Sequence, residues 1–85
     1  MITITKMAKE KLKEALLEHT TNPRLAFRIT PFFSNPTKFC LLLDNEQEGD
    51  FVIENEEGRN LLLINPSLAP ALEGMVLNHQ EAFKN

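Results

Sequence analysis

Hydrophobic and polar positions change period along this chain in a way that marks out its elements. From Lys6 to about His19, Ala8, Leu12, Ala15, Leu16 and His19 recur at three- and four-residue spacing, while Lys9, Glu10, Lys13, Glu14 and Glu18 fall largely outside that stripe. Such spacing predicts an amphipathic helix laid on a sheet, with Thr5 as its N-cap. Ahead of it, the β-branched alternation of Met1–Thr5 reads as a short strand or arm. Thr20-Thr21-Asn22-Pro23 stops the helix, because a residue before proline is pushed out of helical dihedrals.

The period then drops to two. Leu25, Phe27 and Ile29 alternate with Ala26, Arg28 and Thr30, and Thr37, Phe39, Leu41 and Leu43 alternate with Lys38, Cys40, Leu42 and Asp44. These are strand patterns with one well-buried face. Between them Pro31-Phe32-Phe33-Ser34-Asn35-Pro36 reads as a turn or irregular loop. An acidic turn, Asp44–Asp50, leads to a short strand at Phe51–Glu54, and a second turn at Asn55–Gly58 leads to Arg59–Ile64. Leu61–Ile64 does not alternate, which predicts a central strand covered on both faces. Asn65-Pro66 reads as the start of a helix of one or two turns limited by Pro70 and ended by Gly74, with Met75–His79 as a last short strand and a polar tail after it. One helix and five or six short strands joined by hairpin-like turns, with no parallel α/β repeat, predict a single α+β domain over residues 1–85. Its expected form is a twisted, mostly antiparallel or mixed sheet or a compact sandwich with the N-terminal helix packed on it.

Composition narrows the function classes. The chain has 85 residues, 42% apolar and 25% charged, with three glycines, which fits one small globular core that self-association would help to stabilise. A formal net charge of −3 and scattered basic residues argue against a nucleic-acid footprint or an anionic membrane surface. A single cysteine forms no internal disulfide, and no secretory leader pattern is visible, so cytoplasm is the expected compartment. Apolar runs such as Leu61–Ile64 fall far short of the ~20 residues that cross a bilayer.

With its elements in this order, the chain resembles the HesB-like family, the A-type carriers of iron–sulfur cluster assembly. The resemblance rests on MITITKMAKEKLKEALLE, the LAFRI strand, LLLDNEQEGD and LLLINPSLAPALEGMVLN, and spans nearly the whole chain. It implies a small α+β scaffold and an association with iron–sulfur assembly partners. The family holds its cluster with one cysteine in a glycine-rich turn and two in a C-terminal C-G-C segment. Here Ser34 falls where the first would be, followed by Asn35 and Pro36, and no C-G-C segment occurs. Clusters are held by thiolates, commonly four, and a serine hydroxyl is a poor substitute. The expectation is therefore a degenerate member, not an enzyme, that serves as a scaffold or interaction protein and holds no cofactor through the family motif.

Cys40 is the one reactive candidate. On its strand face with Lys38, Leu42 and Asp44 it is readable as a metal ligand or nucleophile, or as a small buried hydrophobe, the commoner fate of a free cysteine. One alternative is an iron or Fe–S carrier that uses Cys40 across a homodimer or with an external thiol. Another is a small thiol enzyme, for which no base is placed. His19 and His79 have no close-spaced ligand partner, and Asp44, Glu46, Glu48 and Gly49 echo a calcium loop whose twelfth position is Asn55 instead of Glu. Glu48, Glu56 and Glu57 are turn carboxylates with nothing to fix an acid/base pair. Phe32 and Phe33, with Ser34 and Asn35, form a candidate interaction surface, since adjacent aromatics in an extended segment cannot both face one core.

Overall fold

The computed structural model describes residues 2–32 and 35–77, with side chains except at 32, 35–38 and 77. Its elements are β1 (Thr3–Ile4), α1 (Lys6–His19), β2 (Leu25–Phe32), β3 (Asn35–Asn45), β4 (Phe51–Glu54), β5 (Asn60–Ile64), α2 (Ala69–Leu72) and β6 (Val76–Leu77). The domain is α+β, as expected.

Helix α1 begins at the residue its sequence marks. Thr5 is extended (φ −68°, ψ 156°), and its Oγ1 accepts the Ala8 N–H at 3.1 Å, satisfying one donor that the first turn leaves open. At the other end the Thr20 N–H donates to the Leu16 carbonyl at 2.8 Å, and Asn22 Oδ1 accepts the Arg24 N–H at 2.9 Å across Pro23. Ala8, Leu12 and Leu16 are fully buried. His19, assigned to the same stripe by spacing, is exposed.

The sheet is mixed, with order β3-β2-β5-β4. β2 pairs antiparallel with β3 and parallel with β5, and β4 pairs antiparallel with β5, while β1 and β6 form a separate parallel pair. Register puts Phe27 beside Leu43 and Leu62, and Ile53 beside Leu62, so these positions share the face that α1 covers. Phe27, Ile29, Leu61, Leu62 and Ile64 join Leu12, Leu16, Ile2 and Leu72 in one core. β5 is interior and its four apolar residues are wholly buried, in line with their lack of alternation. A bulge in the β4–β5 register leaves Leu61 without a β4 partner, and both Leu61 and Leu62 enter the core.

Two local readings change. Strand pairing includes Pro31, opposite Phe39, and Phe32, opposite Asn35, with a register shift between them that leaves 36–38 without a β2 partner, so pairing reaches into the segment expected to be an irregular loop. The segment after β5 starts with an Asx turn, in which Asn65 Oδ1 accepts the Ser67 N–H at 2.8 Å. Helix α2 follows only at Ala69, where Pro70 sits in the first turn and does not break it, and the chain leaves through Gly74 at φ +77°.

Removing the side chain of Leu16 leaves a cavity between α1 and the sheet, and Leu16→Ala is expected to lower unfolding stability by about 3 kcal/mol. Loss of the cap in Thr5→Ala is expected to cost about 1 kcal/mol. Urea unfolding followed by circular dichroism reads both, with the denaturant slope unchanged.

Candidate functional site

The acidic Asp44–Asp50 stretch is not a hairpin turn, because the strands it joins lie at opposite edges of the sheet. β3 ends with Asn45 opposite Leu25, and β4 begins with Phe51 opposite Ile64. The connection must therefore cross β2 and β5, and it does so on the face opposite α1. Ala26 and Leu63, which register places on that face, are fully buried.

Arg28 fastens the crossing. Its Nε donates to Asp44 Oδ2 at 2.6 Å, Nη1 to Asp50 Oδ1 at 3.0 Å, and Nη2 to Asp50 Oδ2 at 2.6 Å and to the Asn45 carbonyl at 3.3 Å. The fork of the guanidinium matches the two oxygens of Asp50, whose side chain is only 1% exposed. Asp50 Oδ2 also accepts the Gln47 N–H at 2.7 Å, and Asp44 Oδ1 accepts the Asn45 N–H at 2.8 Å. Hydrogen bonds from Arg28 hold both carboxyls below their ordinary value of 3.8, against the opposing effect of desolvation. The same bonds, that to Asp50 foremost, hold the guanidinium above its own ordinary value. With its carboxylates committed in this way, the cluster has no group poised for proton transfer, and its chemistry is that of a clamp. The sequence marked Arg28 only as a polar strand position. An arginine in mid-strand, in register near an aspartate, is the signal that would have found it.

The same face carries Cys40 toward the sheet edge. It pairs in register with Thr30, shares its face with Arg28 and Leu42, and is half-buried. Phe39 and Leu41 point the other way and pack on the core. Leu42 and Leu43 are 54% and 40% exposed. β3 is an edge strand of eleven residues, and its ladder partner among the described residues is β2.

The other sequence candidates do not converge on this cysteine. His19 ends a helix packed on the opposite face, and His79 lies outside the described residues. Among the described residues no three His, Cys, Asp or Glu side chains are grouped to hold a metal ion. Glu46, Glu48, Glu57 and Arg24 line a shallow open groove with Arg59, which donates to the Pro23 carbonyl. Glu57 is exposed and pairs with Lys13 at 2.5 Å, which lowers its pKa. Of the Phe32–Asn35 surface, Phe33 and Ser34 lie outside the described residues, as do the side chains of Phe32 and Asn35. No family model, curated protein or solved structure matches this chain.

The clamp carries a pH dependence of defined sign. Because Asp50 and Asp44 have folded-state pKa values below 3.8, their contribution is complete above about pH 5 and is lost as pH falls through the folded-state values. Asp50→Ala removes the forked partner of Arg28 and leaves it only Asp44 and the Asn45 carbonyl, and is expected to lower stability at neutral pH by about 2 kcal/mol. The difference from the parent should shrink below about pH 4, as read by urea midpoints over a pH series.

Proposed function

We propose that this chain is a non-catalytic, HesB-like protein related to iron–sulfur cluster assembly, which acts by binding protein along β3 and holds no cluster through the family motif. The observation that carries the binding role is the β3 edge. Eleven residues long, it ends the sheet with Leu42 and Leu43 exposed and Cys40 half-buried beside them. An unpaired strand edge presents a row of N–H and C=O groups to an incoming chain, and side chains on alternate positions give the selectivity. The kinship rests on the sequence resemblance, and the small α+β domain is the class that resemblance implies. Loss of the motif cysteines, with Ser34 and Asn35 in the corresponding turn, supports a scaffold that has outlived its cluster chemistry.

Anaerobically expressed protein is expected to be colourless, with neither iron nor acid-labile sulfide above background. A brown protein with near-stoichiometric iron, lost in Cys40→Ser, would instead make it a carrier and overturn the scaffold role.

A further inference from the structure

We draw no further inference here: the strongest candidate, the exposed apolar strip of Leu42 and Leu43 beside the half-buried Cys40 on the β3 edge, belongs to the surface already described, and nothing in the structure shows what covers it.

Discussion

The Arg28–Asp50 ion pair is the interaction on which the arrangement of the sheet depends. Only five residues separate Asn45 from Phe51, yet they carry the chain from one edge strand to the other, across β2 and β5. A short polar segment laid over a sheet has little apolar surface with which to adhere. Arg28 supplies the attachment from mid-strand, with a forked contact to Asp50 at the far end of the crossing and a second contact to Asp44 at the near end. Burying such ions is costly unless each oxygen and N–H is matched, and here the carboxylates also accept the Gln47 and Asn45 amides.

This crossing determines what the two faces of the sheet can do. One face is closed by α1, whose Leu12 and Leu16 join Phe27, Ile29 and Leu62 in the core. On the other, which the 46–50 segment crosses, Ala26 and Leu63 are also fully buried, and β5 carries no polar side chain from Leu61 to Ile64. Because the connection ends at β4, it leaves β3 bordered by β2 alone among the described residues. The long open edge is thus a consequence of topology, and its apolar stretch from Phe39 to Leu43 sits at the boundary of the domain with a lysine and an aspartate in flanking positions.

That boundary bears on the chemistry as well. Cys40 lies on the clamp side of the sheet, away from the helix, where its strand neighbours are Thr30 and the residues of β3 itself. Among the described residues no three His, Cys, Asp or Glu side chains are grouped around this thiol to hold a metal ion.

By itself the sequence determined whatever local periodicity and capping can encode. The stripe of Ala8, Leu12 and Leu16 after Thr5 specified α1, the alternation from Leu25 to Thr30 and from Phe39 to Asp44 assigned each residue to a sheet face, and the unbroken Leu61–Ile64 run marked the interior strand. These follow from the 3.6- and 2-residue repeats, which need no knowledge of distant partners. Tertiary structure alone decided that β2 and β5 run parallel, that Asp44–Asp50 crosses the sheet instead of turning back, and that Arg28 is a clamp. Each depends on residues far apart in sequence meeting in space, and an arginine sixteen residues from Asp44 and twenty-two from Asp50 leaves no local pattern to read. The exposure of His19, Leu42 and Leu43 belongs to the same class, because where an apolar stripe outruns the surface it packs on is set by the sizes of the assembled elements.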